Sequence, residues 1–225
     1  MKKLFAAIVV ILSIIFVFAA CNRAASKPSL ADNVTFMQTD FFVGATQNFS
    51  VEISIGVKEK IFIADGKIGE RAAFTEINVI PLKADLSGEY TFSLSAGDTV
   101  INGTLSENIF GNCLTSNIDL TAVKGSIGNI TITRGEVSEI VTLENKLKDL
   151  LSWKDALNIA EKEFKDRIES EKTDGVLPRE IYVKFVRDTK TQDSPYFWYV
   201  SFIGENNSFW ALLLDPANGN VLTKK

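Results

Sequence analysis

The chain has 225 residues, a net charge of −4 at pH 7, no histidine and two cysteines. An acidic balance argues against binding nucleic acid, or an anionic membrane, through the protein's own surface charge. Without histidine, Ser-His-Asp and Cys-His nucleophile activation, histidine-based zinc sites and imidazole proton transfer are excluded.

The first twenty residues, MKKLFAAIVVILSIIFVFAA, place two lysines ahead of seventeen residues, Leu4 to Ala20, whose only polar member is Ser13. These are the n-region and h-region of an export signal. Small residues Ala19 and Ala20 then meet Cys21 and the polar run NRAASKPSLADN. Ala19, Ala20 and Cys21 together resemble a bacterial lipoprotein signal. The resemblance implies cleavage before Cys21, a lipid on its thiol, and a mature chain held on the cell membrane facing outside the cytoplasm. The alternative is an uncleaved transmembrane helix, since seventeen apolar residues reach the short end of a bilayer span. Both readings place everything after Cys21 outside. Residues 1–20 are therefore read as signal and residues 21–32 as a polar tether. Loss of Lys2 and Lys3 takes the net charge to −6. With Cys21 lipidated, Cys113 has no intrachain partner, and its strand-like setting suits a buried, inert thiol.

From 33 to 145 the pattern is β. NVTFM, FSVEISIGV, AFTEINVIPL, EYTFSLS, TVINGTLS, SNIDLTAV, NITITRG and SEIVTL alternate apolar and polar residues between Gly, Asn, Asp or Ser breaks. In FSVEISIGV, Phe49, Val51, Ile53 and Ile55 share one face and Ser50, Glu52 and Ser54 the other. Seven or eight such strands predict an antiparallel β-sandwich, with an immunoglobulin-like arrangement as one form, although no hallmark cysteine pair is present. This stretch is also the acidic one, with 15 acidic and 7 basic residues over 31–145 against 13 of each over 146–225.

At Leu150 the period changes. In LSWKDALNIAEKEFKDRIESEK, Trp153, Ala156, Leu157, Ala160, Phe164 and Ile168 form one helical stripe. Ser152 and Asp155 have the spacing of a capping box and set the helix start. REIYVKFVRD, YFWYVSFIGE and SFWALLLDPANGNVLTK follow as β segments, the last folding back at Pro216 to Gly219. Residues 146–225 thus read as a small α+β domain of one helix and an antiparallel sheet, in a chain that is mostly β.

WKDALNIAEKEF, FWYVSF and LLLDPANGNVL together resemble a PepSY domain, a small extracytoplasmic module. Ala156 and Ala160 match its helical alanines, Trp198, Tyr199 and Val200 its aromatic strand, and Leu212 to Leu214, Asp215, Gly219, Val221 and Leu222 its closing strand and turn. The resemblance covers 150–225 and implies a regulatory or inhibitory binding role, with an extracytoplasmic peptidase as the candidate partner. It carries no catalytic residues. Asp215 and Gly219 read as structural turn residues, one capping the turn through its carboxylate and the other taking positive φ.

Both faces of this sheet are apolar. Tyr196, Trp198, Val200 and Phe202 alternate with Phe197, Tyr199, Ser201 and Ile203, and Trp210, Leu212 and Leu214 with Phe209, Ala211 and Leu213. One helix covers one face, so the second needs another cover. It docks on the β domain or on the helix-like stretch ENKLKDLL, or it is a partner-binding surface anchored by Trp198, Tyr199 and Trp210. The expected function is a lipid-anchored, non-catalytic binding protein of the bacterial cell envelope, with no cofactor, no metal and no nucleic-acid partner. Two alternatives stay open: an envelope enzyme built on a buried carboxylate pair, and a passive surface or adhesion protein binding glycan through the sandwich.

Overall fold

The computed structural model describes residues 29–61, 63–83, 86–109, 111–118, 127–187 and 194–225, with the backbone alone at 207. The expected signal, Cys21, the expected tether up to residue 28 and the later half of SNIDLTAV lie outside the described residues.

The protein is mostly β, with one large sheet and two helices. The described residues begin at Ser29, four residues before the expected β region, and are structured from there. Ser29 and Asp32 cap each other around a 3-10 turn, Leu30–Asn33, and Leu30 is buried. Among the described residues thirteen strands follow: β1 Val34–Ala45, β2 Phe49–Glu59, β3 Arg71–Pro81, β4 Tyr90–Ala96, β5 Thr99–Asn108, β6 Cys113–Ile118, β7 Ile127–Arg134, β8 Val137–Thr142, β9 Glu144–Asn145, β10 Glu180–Arg187, β11 Tyr196–Ile203, β12 Phe209–Leu214 and β13 Val221–Lys224. Helices α1 Trp153–Glu163 and α2 Lys165–Glu171 lie between β9 and β10. Among the described residues no helix is long and apolar enough to cross a membrane.

The strand order is β13-β12-β11-β10-β1-β2-β3-β6-β5-β4-β7-β8, with β9 added to β1. Neighbours are antiparallel except β1 and β10, which run parallel from Val34↔Ile181 to Met37↔Val183. This pairing carries one sheet across the boundary expected at 145/146. Side chains reinforce it: the Asn33 amide donates to the Leu177 and Arg179 carbonyls at 2.8 and 2.7 Å. Beyond Met37 the strands part, because β1 carries a bulge between Gln38 and Asp40. Gln38 then replaces the backbone. Its Oε1 accepts from the Phe185 N–H at 2.6 Å and its Nε2 donates to Ser54 Oγ at 2.9 Å. Arg187 also reaches across β1 to pair with Glu52 at 2.7 Å.

β1 serves two cores. Phe42 belongs with Phe49, Val51, Ile53, Ile77 and Val79 of β2 and β3, against Tyr90, Phe92, Leu94, Ile130, Ile132 and Val141 of β4, β7 and β8. Phe41 belongs to the other cluster, in which Ala156, Leu157, Ala160, Phe164 and Ile168 cover Ile181, Val183, Phe185, Trp198, Val200, Phe202, Trp210, Leu212 and Leu214. The helical stripe expected from the sequence is therefore the buried face of α1 and α2. The capping box at Ser152 and Asp155 forms in both directions. ENKLKDLL is not a helix. Glu144 and Asn145 pair with β1 and the next residues turn, with Asp149 at φ 66°, so Leu147, Leu150 and Leu151 pack on the helical side.

Candidate functional site

The alternation of β11 and β12 decides which aromatic residues a partner could reach. Trp198 and Trp210 point toward the helices and are 1 % and 0 % exposed. Trp198 Nε1 donates to the Leu151 carbonyl at 2.9 Å. Trp210 stacks on Phe202 with ring centroids 3.9 Å apart and meets Phe164 edge-on at 4.5 Å. Both tryptophans are core residues, which corrects their reading as binding anchors: α1 and α2 cover the face they share. Tyr199 lies on the opposite face and stays half-buried.

That opposite face is only partly covered. Registers Tyr182↔Ser201↔Ala211 and Lys184↔Tyr199↔Leu213 lay these side chains in rows across β10, β11 and β12. Ala64, Tyr182, Tyr199, Ser201, Ile203 and Phe209 line a groove of about 320 Å³. Its wall is apolar with three hydroxyls, and Ala64 comes from the β2–β3 loop. A groove of this size and lining suits an apolar side chain or short extended segment.

Beneath the groove lies a polar cluster that the sequence did not single out. Glu180 is fully buried and Glu59 is 3 % exposed. Glu180 Oε1 accepts from the Gly66 N–H at 2.9 Å and Oε2 from the Thr35 hydroxyl at 3.0 Å. Glu59 accepts from the Gly69 N–H. Two buried carboxylates thus hold the 60–70 loop by its backbone, a demand for acceptors that a buried loop amide always makes. Burial pushes the Glu59 carboxyl above its ordinary value; Glu180 and Asp65 add to this, while the Gly69 amide and Arg71 oppose it. Burial likewise raises the Tyr182 phenol, helped by the charge and hydrogen bond of Glu180. Lys184 places Nζ 4.8 and 4.9 Å from the ring centroids of Phe36 and Tyr182. Burial holds its ammonium below the usual lysine range, with Glu180 opposing.

Asp215 and Gly219 form the β12–β13 turn. Asp215 Oδ1 accepts from the Ala217 N–H at 2.8 Å and Oδ2 from the Asn218 amide at 2.9 Å, and Gly219 has φ 77°. The turn rests on α1: a Cβ on Gly219 would come within 2.6 Å of Ile159 Cδ1. Cys113 is buried and unpaired in any disulfide. Burial raises its thiol, with Glu76 and Glu52 adding to the shift. Among the described residues, no group of three or more Cys, Asp or Glu is placed to hold a metal ion.

The groove residues were partly legible, since Ile203 and Phe209 share Tyr199's parity. The two glutamates were not, because a glutamate at a strand end ordinarily faces water. Comparisons with protein-family models, curated proteins and solved structures find no match for this chain.

Proposed function

We propose that the chain is a lipid-anchored extracytoplasmic protein of the bacterial envelope that works by binding. Its mature part begins at Cys21, and its contact surface is the half-covered face of β10–β12. The single observation that carries the reading is the groove between Tyr182, Tyr199, Ile203 and Phe209, an apolar recess left open on a sheet whose other face is fully packed. Its occupant is an apolar, extended segment of an envelope protein, and the PepSY-like order of helix, strands and turn over 150–225 makes a peptidase the candidate class.

The finer architecture in this reading is a β-sandwich over 33–145 joined to a PepSY-like α+β unit over 146–225. Support for the first is the single cluster shared by β2 and β3 with β4, β7 and β8. Support for the second is the α1–α2 cover on one face of antiparallel β10–β12.

A second reading, carboxylate chemistry, has one observation in its favour: Glu59 and Glu180 are both buried and the Glu59 carboxyl is raised. Binding is preferred because both carboxylates already accept loop amides.

The experiment is a pull-down from detergent-solubilised envelope with the full chain and its Ile203→Asp variant. A discrete protein captured by the first and lost from the second, with unchanged cooperative unfolding, is expected. Equal capture by both would remove the groove from the proposal.

A further inference from the structure

The 60–70 loop has its polarity turned inside out. A solvent-facing loop ordinarily shows polar side chains. Here the Gly66 and Gly69 amides point inward to Glu180 and Glu59, and the isoleucines point out. Ile61, Ile63 and Ile68 are 76 %, 54 % and 47 % exposed. Three large aliphatic residues held outward on one clamped loop would cost solubility without return if the loop met only water.

The register places this loop. Glu59↔Arg71, Glu180↔Ile203 and Ile203↔Phe209 are the terminal pairs of their ladders, so the ends of β2 and β11 and the starts of β3, β10 and β12 form one end of the sheet. Phe209 and Val176, also exposed, belong to that end; Val176 precedes Leu177, whose carbonyl holds Asn33. The chain from Cys21 reaches the body here too, because Ser29 caps the turn that delivers Asn33 to Leu177 and Arg179. Seven residues lie between Cys21 and Ser29, and the eight steps reach at most about 28 Å.

We infer that this end of the sheet rests on the membrane, with Ile61, Ile63 and Ile68 dipping into the interfacial layer of the bilayer. The occupant is a lipid surface. The loop carries Lys60 and Lys67 against Asp65 and Glu70, so attraction is apolar and does not need anionic lipid. The two buried glutamates keep the loop in the conformation that presents the isoleucines. The groove, whose rim includes Phe209 and Ala64, then opens close to the membrane. The inference rests on the anchored reading only for the nearness of the bilayer.

The test uses the full lipidated chain in vesicles of phosphatidylethanolamine and phosphatidylglycerol. Ile63→Cys and, separately, Ile68→Cys carry an environment-sensitive nitrobenzoxadiazole dye; Val137→Cys, exposed beside Asn48 and Phe49 at the far end of β2, is the control. Flotation and intact mass report the anchor. Expected are blue-shifted emission and quenching by nitroxide lipids at 63 and 68, unchanged in high salt, and neither at 137. Flotation with water-like emission at 63 and 68 would overturn the inference and leave the anchor standing. No flotation with water-like emission would overturn both. Quenching at 63 and 68 in a chain whose mass shows no lipid would uphold the loop contact and refute the anchor.

Discussion

Trp198 and Tyr199 are sequence neighbours on opposite faces of β11, so replacing each by alanine separates core from surface. Trp198 is 1 % exposed, packs 5.2 Å from the Phe185 ring and donates to the Leu151 carbonyl. Truncating a buried aromatic of this size costs about 3–5 kcal/mol. Since about 1 kcal/mol moves Tm by roughly 2–4 °C in a domain of this size, Trp198→Ala should lose about 6–20 °C. Tyr199 is half-buried beside an open groove, and Tyr199→Ala should cost about 1 kcal/mol. Thermal unfolding followed by circular dichroism, with urea titration as the second measure, reads both. Equal losses would refute the assignment of faces, as would a Trp198→Ala variant as stable as the parent.

Gln38→Leu leaves the buried Phe185 N–H without its acceptor and should cost about 1–3 kcal/mol in urea unfolding; a variant as stable as the parent would contradict this bond. Glu59 is held above its ordinary value of 4.5, chiefly by burial. A raised carboxyl favours the folded state below the unfolded pKa, and that contribution is lost as pH rises through the folded value. Glu59→Gln should therefore flatten the fall in stability above pH 4.5, measured by urea midpoints across pH; an unchanged slope would contradict the burial of this charge. Cys113 should resist a thiol reagent at pH 8 in the native chain and react at once in urea, as a buried thiol with a raised pKa requires.

Alternation made the strands legible, and the Trp153 to Ile168 stripe with its Ser152 cap made the helices legible. Those are local signals. Parity also sorts β11 and β12 into two faces, but it does not say which face a helix covers, and so it cannot tell the buried Trp198 and Trp210 from the half-buried Tyr199 as anchors. The parallel pairing of β1 with β10 joins residues about 145 apart in sequence, and no local period reports such a neighbour. ENKLKDLL shows the converse error: leucines at helical spacing sit in turns because Asn145 is taken by β1, where its side chain also donates to Asp40 at 2.9 Å. Glu180 opens a strand that reads as half-solvated, and only the fold reveals that the 60–70 loop closes over it.

The binding role proposed for the half-covered face of β10–β12 can be tested in place. The most direct measurement places the photo-cross-linker p-benzoylphenylalanine at Tyr199 of the full chain in living cells, with the exposed Leu82, just past the end of β3, as the comparison site. A discrete protein adduct is expected from 199, abolished by Ile203→Asp, and none from 82. No protein adduct at 199 in a correctly folded chain, or the same adducts from both positions, would contradict it.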